Sequence, residues 1–126
     1  MSFQSPLARV RGLGSAKDGV HHWWSQRLTA LALAPLSLWF IYSLVVVTGA
    51  EYATVVAWLA NPLNAVLMLI FIISLYYHAA LGIQVVIEDY IESEWQKIAC
   101  LILVKFLALL TGLSAAIAVL KVYLGP

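Results

Sequence analysis

The chain has 126 residues, 63% of them hydrophobic and only 10% charged, with a mean hydropathy of +0.95. That balance excludes an ordinary soluble domain and makes this an integral membrane protein. A net charge of +1 offers no basic surface for nucleic acid, and the single cysteine, Cys100, excludes an intramolecular disulfide framework or thiolate cluster.

Residues 1–26 form a polar leader carrying Arg9, Arg11 and Lys17 among Gly12, Gly14, Ser15 and Gly19. Its composition resists helix formation and suits an arm lying on the membrane surface. No cleavable targeting segment is expected, because the apolar runs are too many and too long and the first lies behind this leader. The leader ends in His21, His22, Trp23 and Trp24, followed by Arg27. Indole rings rest at headgroup level and a guanidinium can snorkel there, so the first helix should start near Ser25.

From Leu28 to Thr48 no charge occurs, and about 21 residues at 1.5 Å each cross the roughly 30 Å hydrocarbon layer. Pro35 inside this run predicts a kink that neighbouring helices can tolerate. Tyr52–Ala60 reads as a short interfacial helix anchored by Trp58, broken by Asn61-Pro62. A second span follows at about 63–87, and the polar loop Glu88–Lys97 holds four of the six acids. The third span, about 98–124, carries Lys105, which can snorkel to the near surface, and a small-residue patch of Gly112, Ser114, Ala115 and Ala116 suited to close helix packing.

The fold expected is all-α, a single membrane domain over residues 1–126 built as a bundle of three transmembrane helices at about 27–48, 63–87 and 98–124. Lys and Arg concentrate in the leader and at Lys97, whereas the loop after the first span has none and the tail has Lys121. The positive-inside rule therefore puts the N-terminus inside and the C-terminus outside.

One residue is out of place in this bundle. His78 lies on the order of 15 Å of helix rise from Glu88, near the middle of the bilayer, where an ionisable side chain is costly and commonly functional. His78, Gly82, Val85 and Asp89 fall on one helical face. Ala79 and Gly82 leave room for a flat macrocycle whose iron the imidazole could bind, and a hydrogen bond to another helix's backbone would satisfy the ring equally well. Spacing does not choose between the two. This chain has no second histidine at that depth, so a haem held here would take its opposite ligand from a partner subunit. Asp89 and Tyr90 emerge at the inner boundary, where a tyrosine hydroxyl can bond a quinone carbonyl and an acid can relay protons. They equally suit an interfacial anchor and a helix-ending acid. His21 and Arg27 lie on the same side and could hold carboxylates such as haem propionates, or simply anchor the leader at the headgroups.

Taken together, Gly19-Val20-His21 with Arg27, then His78-Ala79-Ala80-Leu81-Gly82 leading through Gln84-Val85 to Asp89-Tyr90, resemble the hydrophobic membrane-anchor subunits of succinate dehydrogenase, the D subunits of respiratory complex II. The three-span layout and length agree over nearly the whole chain. The resemblance implies an anchor with no succinate site of its own, held with a flavoprotein subunit, an iron–sulfur subunit and a second cytochrome b anchor subunit. It implies a haem b shared with that second anchor and a ubiquinone-reduction site, in a bacterial inner or mitochondrial inner membrane. His78 would be the axial haem ligand, Tyr90 the hydrogen-bond donor to ubiquinone, and Asp89 its acidic neighbour. Arg27 and His21 would lie near the haem propionates and quinone pocket, the six-residue spacing to Arg27 favouring His21 over His22. Two other readings remain: an accessory three-helix subunit of another membrane complex, and the anchor of a fumarate reductase running the same couple backwards.

Overall fold

The structure is a computed structural model that describes residues 5–10 and 17–125. Of the leader residues, Arg11, Gly12, Gly14 and Ser15 lie outside the described residues, as do the side chains of Arg9 and Lys17. The described chain is all-helical: α1 (Pro6–Val10), α2 (Lys17–Val47), α3 (Tyr52–Leu59), α4 (Pro62–Tyr90) and α5 (Glu94–Leu124). Three of these helices, α2, α4 and α5, are long and apolar enough to cross a membrane.

The helices are longer at the leader end than the apolar runs predict. The first long helix begins at Lys17 rather than near Ser25, so the second half of the leader is helical despite its composition. Gly19 costs roughly 1 kcal/mol relative to alanine, but each residue added to an existing helix gains a backbone bond. The acidic loop shrinks in the same way. Helix α4 continues through Asp89 and Tyr90, α5 resumes at Glu94, and Ile91–Ser93 alone connect them. Gln84 Nε2 donates to Glu88 Oε1 at 2.8 Å across one turn, and Lys97 Nζ meets Glu94 Oε1 at 3.3 Å in the first turn of α5. Glu94 also places negative charge at a helix N-terminus, where the helix dipole favours it.

At the opposite end the boundaries follow local chemistry. Gly49, with φ +81°, takes the left-handed conformation that stops α2. Helix α3 occupies the predicted interfacial segment, and α4 starts where Asn61 Oδ1 accepts from the Leu63 N–H at 3.0 Å with Pro62 in the first turn. Trp58 is more than an anchor. Its ring stacks on Trp39 at 5.9 Å between centroids, and its carbonyl accepts from Asn64 Nδ2 at 2.8 Å. Helix α2 runs through Pro35 as one element.

Helix α4 is the middle helix on which both α2 and α5 pack. Phe40 of α2 stacks on Phe71 of α4 at 4.8 Å. On the other side Gly112 of α5 receives the Tyr76 ring, and a Cβ placed there would stand 3.2 Å from Tyr76 Cγ. Below this contact an open apolar groove of about 460 Å³ runs between α4 and α5, with Ala108, Gly112 and Ala116 along one wall and Lys105 and Gln84 at one end. Since lipid tails are as apolar as leucine, close approach at small residues and a few polar contacts hold such helices together. Gly112→Leu should force the Tyr76 ring aside and cost about 1–3 kcal/mol, the usual range for overpacking. A lowered melting temperature of the detergent-solubilised protein would register it, and an unchanged one would mean that this contact does not hold α4 to α5.

Candidate functional site

Helix α4 carries His78 at a depth fixed by helix length. It lies about 24 Å of rise from Pro62 and about 18 Å from Tyr90, inside the span from either end. Its ring turns toward α2 and not toward α5. Nδ1 lies 2.9 Å from Thr29 Oγ1, and Nε2 lies 3.5 Å from the amide Nε2 of Gln26. The bond from His78 therefore goes to a side-chain hydroxyl, where the sequence suggested a backbone group as the alternative to iron. Interhelical bonds of this kind are worth about 0.6 kcal/mol on average and rarely exceed ~1.7 kcal/mol, so it steadies the α2–α4 pair without dominating it.

The same cluster extends one turn along α2. His22 Nε2 and Gln26 Oε1 are buried and have no hydrogen-bond partner among the described residues. His22 is half-buried, whereas His21 is exposed, so the structure turns His22 into this polar pocket. Gly82, one turn from His78, faces the same place, and a Cβ there would lie 3.9 Å from Gln26 Nε2. Ala79 is exposed on the neighbouring face. Residues 22, 26 and 29 recur at spacings of four and three, a polar stripe on an apolar helix, and that stripe is the sequence signal by which Gln26, Thr29 and His22 could have been found.

Asp89 and Tyr90 are the last two residues of α4, and both are exposed. Asp89 lies eleven residues from His78, about three full turns, and so on the same face; Tyr90 is turned about 100° from it. Tyr90 is 83% exposed and lines a shallow depression with Ile91, Ser93, Trp95, Gln96 and Cys100, so the two candidate positions are separate places on one helix. Arg27 is exposed, and its guanidinium carbon stands 5.4 Å above the Trp23 ring, a cation–π contact at the same end of the bundle. Lys105 has no ion pair or hydrogen bond among the described residues.

The pocket beside His78 suits a metal that brings most of its own ligands. Among the described residues no three His, Cys, Asp or Glu side chains gather. One imidazole whose Nε2 has only a long amide contact, a glycine beside it and buried polar atoms without partners among the described residues are compatible with the edge of a porphyrin, whose iron asks the protein for axial ligands alone.

Comparison with known proteins places the chain. The family described as succinate dehydrogenase/fumarate reductase transmembrane subunit matches residues 1–112. A succinate dehydrogenase hydrophobic membrane anchor subunit of Rickettsia bellii (strain RML369-C) is 38% identical over 117 residues, covering 93% of this chain and 94% of the relative. A succinate dehydrogenase membrane anchor subunit of Reclinomonas americana is 30% identical, covering 74% of this chain and 80% of its own. The corresponding hydrophobic membrane anchor subunit of Paracoccus denitrificans is 28% identical over 84% of this chain and 82% of its own. No solved structure matches. With the family matched over most of its length, the chain belongs to the succinate dehydrogenase/fumarate reductase transmembrane subunits.

Proposed function

We propose that this chain is a membrane anchor subunit of succinate dehydrogenase that helps to bind a haem b and forms part of the ubiquinone-reduction site. The observation that carries the reading is His78, held at mid-span on the central helix of a chain of this family, with one ring nitrogen bonded to Thr29 and the other facing only a long amide contact. Partners of three kinds are implied: a flavoprotein that oxidises succinate, an iron–sulfur protein that conducts electrons, and a second anchor that supplies the opposite haem ligand. The complex sits in a bacterial inner or mitochondrial inner membrane, with this chain's N-terminus inside and its C-terminus outside. Arg27 and Lys97 at one end and Lys121 at the other support that orientation.

Each residue has a separate task. His78 would hold the iron through a ring nitrogen, and Gly82 and Ala79 would leave room beside it. Haem, when bound, supplies a one-electron store between the iron–sulfur partner and the quinone. Reduction of ubiquinone to ubiquinol takes two electrons and two protons at its carbonyl oxygens. Tyr90 donates a hydrogen bond to one of those oxygens, and Asp89, exposed beside it, relays protons from the aqueous side. Arg27 and His21 lie toward the same end and supply donors for the propionates and the quinone pocket, with His22 the ring that already faces the cluster.

The family's description includes fumarate reductase, so the same couple run in reverse is the second reading. An affinity tag on this chain should copurify a flavoprotein, an iron–sulfur protein and a second membrane subunit. The reduced-minus-oxidised spectrum of that complex should show a b-type band, and succinate should reduce ubiquinone faster than ubiquinol reduces fumarate. A complex without flavin and haem would leave an accessory subunit of another assembly as the better account.

A further inference from the structure

The two ring nitrogens of His78 have different neighbours, a hydroxyl at Nδ1 and a side-chain amide at Nε2. Thr29 has one hydroxyl hydrogen, and the nearest acceptor is the Ser25 carbonyl at 2.7 Å, with the Gln26 carbonyl at 3.1 Å. A carbonyl only accepts, and back-bonding of a helical threonine to the preceding turn is common. With its hydrogen directed there, Thr29 Oγ1 has lone pairs free to accept from an imidazole N–H at Nδ1, 2.9 Å away. On the other side of the ring the Gln26 amide nitrogen, a donor, stands 3.5 Å from Nε2, a long contact compatible with a lone pair on that nitrogen.

We propose that Thr29 is the positioning residue for His78: it accepts the Nδ1–H bond, which holds the ring in the tautomer whose Nε2 can ligate iron. The proposal rests on the haem reading above and assigns α2 a role in it that the ligand alone does not describe. The hydroxyl passes its own hydrogen to the Ser25 carbonyl, so ring orientation is tied to the backbone of α2. Gln26 meanwhile covers Nε2 and fills the room beside Gly82, so its amide would have to leave that nitrogen for iron to be held there. Its Oε1 is buried without a partner among the described residues, so few bonds hold it there.

Accepting the Nδ1–H bond also makes the imidazole a stronger electron donor, which favours ferric over ferrous iron. Three variants, each coexpressed and purified as the complex with its partner subunits, test this. Thr29→Val, of nearly the same shape, should weaken haem retention roughly 10–100-fold, the usual effect of losing a ligand's outer hydrogen bond, and should raise the haem midpoint potential. Thr29→Ser should restore both, because it keeps the hydroxyl. His78→Ala is the reference. If it leaves a six-coordinate low-spin haem unchanged, the haem reading itself fails. If it abolishes that spectrum while Thr29→Val keeps wild-type retention and potential, Thr29 does not position the ligand and the proposal is overturned. A Thr29→Val defect that serine does not repair also overturns it, because the loss then follows from shape and not from the hydroxyl.

Discussion

His78→Ala should abolish the six-coordinate low-spin spectrum of the b-type haem in the assembled complex, either by loss of the haem or by conversion of its iron to a five-coordinate, high-spin form. The effect should exceed the roughly 10–100-fold loss typical of an outer hydrogen-bond partner, because the substitution removes a bond to iron itself. It also leaves Thr29 and Gln26 facing a space without the imidazole, and an unpartnered buried polar group costs about 1–3 kcal/mol. Haem must therefore be measured per assembled complex, with flavin as the denominator, so that poor assembly is not counted as poor ligation. A low-spin spectrum at wild-type stoichiometry would mean that both axial ligands lie elsewhere and that His78 serves only the α2–α4 bond.

The second large effect should come from the C-terminal end of the same helix. Tyr90→Phe removes one hydroxyl and little else, and that side chain is almost wholly exposed, so the fold should be indifferent to the change. Ubiquinone reduction should nevertheless fall on the order of 10²-fold, the lower end of what a positioned proton donor contributes. Succinate oxidation by a soluble artificial acceptor should continue, since those electrons need not reach the membrane. Asp89→Asn should give a smaller defect that is worst at high pH, where protons in water are scarce and a relay matters most. Equal ubiquinone kinetics in the wild-type and Tyr90→Phe complexes would remove the tyrosine from the quinone site.

Much of this architecture could be read from the chain, and the reasons for the exceptions are specific. Three apolar runs announced three spans, and Asn61-Pro62 marked the start of α4 by its own capping chemistry. At the leader end the helices run past the bounds that charge and glycine predict, because those residues signal loop only by composition. Helical hydrogen bonding carries through both because extending an existing helix adds a backbone bond for each residue fixed, as at Lys17–Gln26 and at Asp89–Tyr90. His78 stood out because ionisable groups are rare at mid-span. Thr29 and Gln26 did not, because neutral polar residues in an apolar helix draw notice only when their spacing is matched to a partner on another helix. Likewise, spacing to Arg27 pointed to His21, while the direction in which α2 faces α4 turns His22 inward.

That α4 runs unbroken from Pro62 to Tyr90 makes it a ruler as well as a scaffold. His78 and Tyr90 are kept about 18 Å apart by twelve steps of helical rise, and the angle between them by the same twelve rotations. Removing one residue anywhere between them would shorten the gap by only about 1.5 Å yet swing one position about 100° around the axis relative to the other. The segment is thus constrained in length whatever its side chains: its spacing is a phase, set by residue count, that no repacking of neighbours can restore.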